Sequence, residues 1–347
     1  MIKIRENIIG LMYKPFIIAE MSGNHNGSIE RAHTLVDAAA DAGVDAIKLQ
    51  TYTADTITLD IRENEFVIDD KKSLWHGRSL YDLYSEASTP WEWHAEIMEH
   101  AADRGLICFS SPFDSSAVDF LESINVGAYK IASPEIVDHG LIKNVAKTMK
   151  PVIISTGMAT VDEIKEALAI CYKEDNHQVA LLQCTSSYPS PPKNSNISTI
   201  LDMRKKFNCE VGLSDHTMGI GVSIAAVSFG CSIIEKHFTL NRSDGGVDSS
   251  FSLEPKELSQ LVMESKRAWQ SIGEVTYGPN ESEMGSLKFR RSLYAAENIK
   301  VGEKFTSKNI RSIRPNLGIH TRFLDEIIGS YSKVDIPKGT PISRKMF

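Results

Sequence analysis

The stretch Glu210-Val-Gly-Leu-Ser-Asp-His-Thr-Met-Gly-Ile-Gly-Val-Ser-Ile-Ala-Ala-Val-Ser-Phe-Gly-Cys-Ser-Ile-Ile-Glu-Lys-His237 decides how this chain folds. Two short apolar runs, Glu210–Ser214 and Ile233–His237, flank a segment with helical spacing at residues 220–230. Short apolar runs bounded by turn signals read as buried strands, and strand–helix–strand is the unit of a parallel sheet. His216 and His237 close those runs 21 residues apart, about one strand–helix repeat. A parallel barrel would therefore bring both imidazoles to one rim. Imidazole is a common ligand for divalent metals, and two such ligands leave positions open for substrate. The alternative is two separate histidines hydrogen-bonding locally at their strand ends.

Upstream the same unit recurs. Apolar runs fall at Phe16–Glu20, Ala46–Gln50, Ile107–Ser110, Ala128–Ile131, Val152–Ser155 and Val179–Gln183. Ser28 is placed to cap a helix over Ile29–Ala42 that Gly43 stops. Further helices begin near Pro90 and centre on residues 115–124, 139–148, 161–172 and 197–207, and the last follows Pro255 to Ile272. An insertion, residues 53–88, interrupts the pattern. Eight strands, each followed by a helix within the roughly 250 residues typical of such folds, predict a (β/α)8 TIM barrel over residues 1–272. A doubly wound sheet is the alternative, but eight regular units favour closure. In a barrel, side chains just past the strands line the active face.

Residues 273–287 are turn-rich and read as a linker, and 288–347 as a small β-rich domain. There, Asn298-Ile-Lys-Val-Gly-Glu303 and Asp335-Ile-Pro-Lys-Gly-Thr340 each fit a strand–tight-turn–strand unit. Arg290, Arg291, Arg311 and Arg314 give this domain a basic edge.

The 347 residues carry 38 basic and 45 acidic side chains, a net charge of −7, which argues against a general nucleic-acid binder. An anionic substrate would need a local cationic pocket. The five cysteines form no CxxC pair, and the N-terminus has no apolar leader, so a cytoplasmic protein with reduced thiols is expected. No stretch approaches membrane-spanning length.

Several groups converge on the expected rim. Glu20 ends the first strand beside Gly23-Asn-His-Asn-Gly27, where a carboxylate could act as a base or orient water. Lys48 and Lys130 lie inside strand runs, and a buried ammonium needs an anion, which points to a phosphate or carboxylate ligand. Either could instead form a Schiff base, as in barrel aldolases. Hydroxyls recur after strands at Ser110-Ser111, Ser133, Ser155-Thr156, Thr185-Ser-Ser187 and Ser214, suggesting an oxyanion cradle. No P-loop, GxGxxG or Ser-His-Asp order is present.

Taken in order, these segments closely resemble the sialic acid synthase family, whose members condense phosphoenolpyruvate with an amino-sugar aldehyde. The likeness runs through Phe16-Ile-Ile-Ala-Glu-Met-Ser-Gly-Asn-His-Asn-Gly27, Ile47-Lys-Leu-Gln50, Ser110-Ser-Pro-Phe113 and Tyr129-Lys-Ile-Ala-Ser-Pro-Glu135. It continues through Ile154-Ser-Thr-Gly-Met158, Gly212-Leu-Ser-Asp-His-Thr217 and Glu235-Lys-His-Phe238. Arg291-Ser-Leu-Tyr-Ala295 and Ile313-Arg-Pro315 resemble the family's antifreeze-like (SAF) domain. Asn241–Pro255 and Leu74-Trp-His-Gly-Arg-Ser-Leu-Tyr-Asp-Leu-Tyr84 look like the branch that makes pseudaminic acid from 2,4-diacetamido-2,4,6-trideoxy-L-altrose, rather than the neuraminate or legionaminate branches.

The resemblance implies roles. His216 and His237 would bind Mn²⁺ or Mg²⁺ to polarise the sugar aldehyde. Lys48, Ser111, Lys130, Ser133, Ser155, Ser186 and Ser214 would hold phosphoenolpyruvate, with Ser111 and Ser186 standing where some relatives have Thr and Asn. Glu20 would manage water or a proton. Gln50, Glu135, Tyr188 and Asp248 would contact the sugar or metal-bound groups. Arg314 would reach the sugar's N-acetyl group from the other subunit of a domain-swapped homodimer. A SAF-like binding module on an inactive barrel is the non-catalytic alternative.

Overall fold

Eight parallel strands close into a barrel in a computed structural model that describes residues 1–347. The chain divides into two compact units, Met1–Gly273 and Glu274–Phe347. After a hairpin of β1 (Ile2–Ile4) and β2 (Asn7–Ile9), the barrel strands are β3 (Phe16–Glu20), β4 (Ala46–Thr51), β5 (Ile107–Pro112), β6 (Tyr129–Ile131), β7 (Val152–Ser155), β8 (Val179–Cys184), β9 (Glu210–Ser214) and β10 (Ile233–His237). They pair in sequence order, and β10 closes the ring between β9 and β3. All eight runs expected to be strands form the barrel. Helices cover their outer faces, so the strands are apolar on both sides, as parallel sheets require.

The helices of this unit are α1 (Ile29–Ala42), α2 (Ala54–Ile57), α3 (Leu80–Ala87), α4 (His94–Asp103), α5 (Ser115–Ser123), α6 (His139–Lys147), α7 (Val161–Lys173), α8 (Thr199–Phe207), α9 (Gly221–Val227) and α10 (Pro255–Ile272). Local chemistry sets their ends. Ser28 accepts from the Arg31 amide, and Gly43 ends α1 at φ 83°, a left-handed conformation that glycine adopts without steric cost. The 53–88 insertion holds α2, α3 and an antiparallel bridge between Val67 and Ser79.

The β1–β2 hairpin has no counterpart among the expected elements, because three-residue strands carry too little periodicity to read. Ile2, Ile4 and Ile9 are buried in the barrel core. The Met1 amino group pairs with Glu210 at 3.2 Å, and Arg5 donates to the Asn125 carbonyl at 2.7 Å. Both contacts lie at the starts of strands, on the face opposite the strand C-termini.

Strand alternation decides which side chains face inward. On β10, Glu235 and His237 face the lumen, whereas Lys236 points outward and pairs with Asp215 at 3.0 Å. A lysine within a barrel strand can therefore be structural. Gly212 lets β9 and β10 approach: a Cβ there would collide with the Ile233 carbonyl and lie 2.6 Å from Leu182.

In the C-terminal unit, β11 (Ser292–Ala295) pairs antiparallel with β12 (Ile310–Ile313) over a core of Leu293, Ile299, Phe305, Ile310, Ile336 and Ile342. The two similar stretches do not each form a strand–turn–strand unit. They pair with one another: Ile299 and Ile336 exchange amide–carbonyl hydrogen bonds at 2.8 Å each. Each stretch has one fully buried isoleucine, and neither could cover it alone. Within the turn-rich segment after α10, Glu281–Phe289 forms a 3-10 helix capped by Asn280. No helix is long and apolar enough to cross a membrane.

Candidate active site

The strand C-termini bring two lysines and two carboxylates into one buried cluster. Lys48 Nζ lies 2.6 Å from Glu20 Oε2 and 3.4 Å from Glu235 Oε1, and it donates to Ser111 Oγ at 3.3 Å. Lys130 Nζ is 3.7 Å from Glu235 Oε1 and donates only to the Ile131 carbonyl, at 3.3 Å. Part of the anion expected to be a ligand is thus the protein's own.

Glu235 was legible only as a letter in the quoted Glu235-Lys-His-Phe238 segment and was given no role there. A carboxylate in an apolar strand run was the signal available. Ser214 Oγ donates to it at 3.2 Å, completing its tie to both lysines.

Charge balance in this dry cluster is uneven. Burial pushes Glu20 up to about 7, against the pull of Lys48 and with repulsion from Glu235. Gln50 Nε2 donates to its other oxygen at 2.9 Å. Burial opposes charge on Lys48, but Glu20 and Glu235 together hold it above its ordinary value. Lys130 goes the other way: burial lowers it, Glu235 compensates only in part, and Lys48 adds repulsion. It is the cation with most to gain from an incoming anion.

Further hydroxyls stand at the neighbouring strand ends. Ser155 Oγ and Ser186 Oγ are buried without a hydrogen-bond partner, an arrangement that disfavours an empty site. Gly157 lies between strand ends: its amide donates to Ser133 Oγ at 3.1 Å. A Cβ on Gly157 would lie 2.8 Å from Ser133 Oγ and overlap Ser186 Oγ, so the glycine keeps this cradle open.

Across the rim stands the histidine pair, ring centroids 5.4 Å apart. His216 Nδ1 is 2.9 Å from the Thr185 carbonyl, which can only accept, so in the neutral ring Nδ1 carries the proton and Nε2 keeps its lone pair. His237 Nδ1 is buried without a hydrogen-bond partner, 3.8 Å from Asp248 Oδ2. Burial, then the neighbouring positive groups, hold His237 far below its ordinary value and neutral. Against the pull of burial, Cys184 and the Thr185 carbonyl raise His216 above its ordinary value, so its Nε2 lone pair becomes available to a metal on loss of a proton, whereas His237 is already neutral. Cys184, not singled out from sequence, lies 4.0 Å from His216 Nδ1; burial works to raise its thiol, but hydrogen bonding and charge from His216 bring it to about 7.

The sugar candidates frame the mouth. Tyr188 packs 4.3 Å from His216 and 6.2 Å from His237. Asp248 accepts the Ser22 hydroxyl, and burial raises it. Glu135 follows β6 in a 3-10 turn; its Oε2 is buried and unpartnered, and burial pushes it up to about 7. The structure thus brings Glu20, Lys48, Gln50, Ser111, Lys130 and Ser214 together around Glu235. It sets Ser133 and Ser186 together around Gly157, and Tyr188 and Asp248 beside the histidine pair, with Ser155 at the end of β7. Arg314 belongs to the other unit, exposed just after β12.

Comparison with known proteins agrees with this geometry. Residues 35–277 match the NeuB family and residues 290–347 the SAF domain. The pseudaminic acid synthase of Campylobacter jejuni is 42% identical over 96% of this chain and 97% of its own. That of Helicobacter pylori is 41% identical over 96% and 98%. An N-acetylneuraminic acid synthetase structure from Leptospira borgpetersenii, in complex with citrate, superposes with a TM-score of 0.73 at 33% identity, covering 83% of this chain and 95% of that one. With its buried lysine–carboxylate cluster, its histidine pair and these matches, the chain belongs to the NeuB family and carries a C-terminal SAF domain.

Proposed function

We propose that the chain condenses phosphoenolpyruvate with 2,4-diacetamido-2,4,6-trideoxy-L-altrose to give pseudaminic acid and phosphate. The observation that carries the chemistry is Lys130 and the unpartnered hydroxyls of Ser155 and Ser186, a cationic cradle short of an anion, at the same rim as the paired histidines. The choice of sugar is supported by the two pseudaminic acid synthases at 41–42% identity.

Lys48, Lys130, Ser111, Ser133, Ser155, Ser186 and Ser214 hold the phosphate and carboxylate. The alkene carbon of phosphoenolpyruvate attacks the sugar aldehyde, leaving an oxocarbenium at C2 and an alkoxide at the former aldehyde oxygen, which becomes a hydroxyl with the proton released by the water that adds at C2. Glu20, pushed up to about 7 and oriented by Gln50, is matched to take a proton from the water that adds there. Phosphate then leaves with C–O cleavage, and the lysines balance its charge throughout. His216 and His237 would hold Mn²⁺ or Mg²⁺, which when bound supplies Lewis-acid polarisation of the aldehyde. Tyr188, Asp248 and Glu135 frame the sugar. Arg314, carried over from the family, would reach its N-acetyl group across a domain-swapped dimer in the cytoplasm.

Mass spectrometry of products from phosphoenolpyruvate and each candidate sugar tests this. A nonulosonate from the diacetamido altrose is expected; product only from N-acetylmannosamine or the legionaminate precursor would overturn the sugar assignment. Borohydride trapping of a pyruvate adduct on Lys48 or Lys130, with activity surviving EDTA, would overturn the mechanism in favour of a Schiff-base aldolase.

A pH dependence follows from Lys130. Its value is lowered in the free site and rises when an anion arrives, so binding takes up a proton at high pH. Affinity for phosphoenolpyruvate should fall as pH rises through the free-site value, approaching about tenfold per pH unit for one linked proton. Calorimetric titration from about pH 7 to about pH 10 measures it, and Lys130→Arg, charged throughout, should flatten the curve.

A further inference from the structure

The 53–88 insertion sends one side chain to the roof of the site. Trp75 is half-buried, and its indole N–H donates to the Val247 carbonyl at 3.0 Å. Its ring lies 5.8 Å from that of Tyr188. Tyr188 covers His216, while Val247 precedes Asp248, the carboxylate near His237. Trp75 thus fastens together two groups that approach the mouth from different strands, one after β8 and one after β10.

Little else secures this part of the insertion. No residue between 55 and 78 is buried. Within it, the Val67–Ser79 bridge and the Ile68–Arg78 and Gly77–Ile68 backbone hydrogen bonds fold a hairpin, and toward the rest of the chain there are surface pairs such as Arg62–Asp82 and Arg78–Glu86, which contribute little. A segment with so few buried contacts opens easily unless a specific tie holds it.

We infer that Trp75 is a positioning residue for the amino sugar. By holding Tyr188 and the Val247–Asp248 backbone in one arrangement, it shapes the sugar half of the site. The phosphoenolpyruvate half, built on Lys48 and Lys130 deeper in the barrel, does not touch it. The inference rests on the assignment of these two halves proposed above.

The test is steady-state kinetics of Trp75→Phe and Trp75→Ala, with each substrate varied against saturating partner. Trp75→Phe keeps a ring but loses the N–H, and the sugar KM should rise about fivefold, the value of one neutral hydrogen bond. Trp75→Ala loses both and should raise it at least about 30-fold, while the phosphoenolpyruvate KM stays within about twofold. Melting temperature serves as the fold control. A sugar KM unchanged in both variants would overturn the inference, and so would equal rises in both KM values with a fallen Tm. If Trp75→Ala fails to fold, Trp75→Phe decides alone. Wild-type product identity is read separately: should the enzyme accept a different amino sugar, the substrate proposal fails, and the KM split measured with the accepted sugar still judges Trp75.

Discussion

Exchanging His237 for alanine is expected to lower kcat by about three orders of magnitude. Lewis-acid polarisation is worth several kcal/mol, and each 1.36 kcal/mol is tenfold in rate, so losing about 4 kcal/mol gives that factor. The fold should tolerate the change better than the chemistry does. His237 Nδ1 makes no hydrogen bond, and burial keeps the ring neutral, so no charge or bond is orphaned. What is lost is packing against Phe251, 5.0 Å away, and His216. The variant should also lose any rise in melting temperature that Mn²⁺ gives the wild type, a readout independent of turnover. Treating the wild type with EDTA should reproduce the rate loss, and adding Mn²⁺ should reverse it. Activity within tenfold of wild type, with the Mn²⁺ effect intact, would remove the histidine pair from the reaction.

Replacing Lys48 with methionine should be costly in both stability and binding. Glu20 would lose its partner at 2.6 Å, and Glu235 would keep one lysine, Lys130 at 3.7 Å, beside the Ser214 hydroxyl. Removing one member of a buried ion pair typically costs about 3–5 kcal/mol, because the remaining charge stays desolvated. Here the cost should depend on pH. Glu20 is already pushed up to about 7, and without Lys48 it rises further. A carboxyl raised in the folded state binds protons that the unfolded chain has released, so the variant loses stability as pH rises through neutrality. Urea unfolding at about pH 6 and about pH 8 should show the larger deficit at the higher value. Adding Glu20→Gln should recover much of the stability and none of the activity. A deficit independent of pH would mean that packing of the lysine stem, rather than its charge, dominates.

Much of this was legible in the sequence, because the physics that forms the barrel also writes its pattern. Buried parallel strands need unbroken apolar runs, so Lys48 and Lys130 stood out where no lone charge belongs. Ser28 and Gly43 announced the ends of α1 by the chemistry of caps. Other features had no such signature. Glu235 differs from Lys236 only in which face of β10 it occupies, and one carboxylate among isoleucines does not reveal which lysine it meets. The β1–β2 hairpin is too short to show a period. The partner of Trp75 lies 172 residues away, and no local rule connects an indole to a particular carbonyl at that distance. In the C-terminal unit, two similar stretches suggested two independent hairpins, whereas each needed the other to cover its isoleucine.

The alternation along β10 carries a consequence for how such an enzyme can diversify. Glu235 and His237 share a face with Lys236 between them, so deleting one residue from the short connection between α9 and β10 would turn the strand over. The lumen would then receive Lys236 in place of both acidic cluster and imidazole. The reaction is therefore written in a reading frame that tolerates exchange of letters but not a change of phase. The 53–88 and 241–248 loops carry no such phase. New sugar preferences can arise there by insertion, deletion or wholesale replacement, leaving the barrel's chemistry intact.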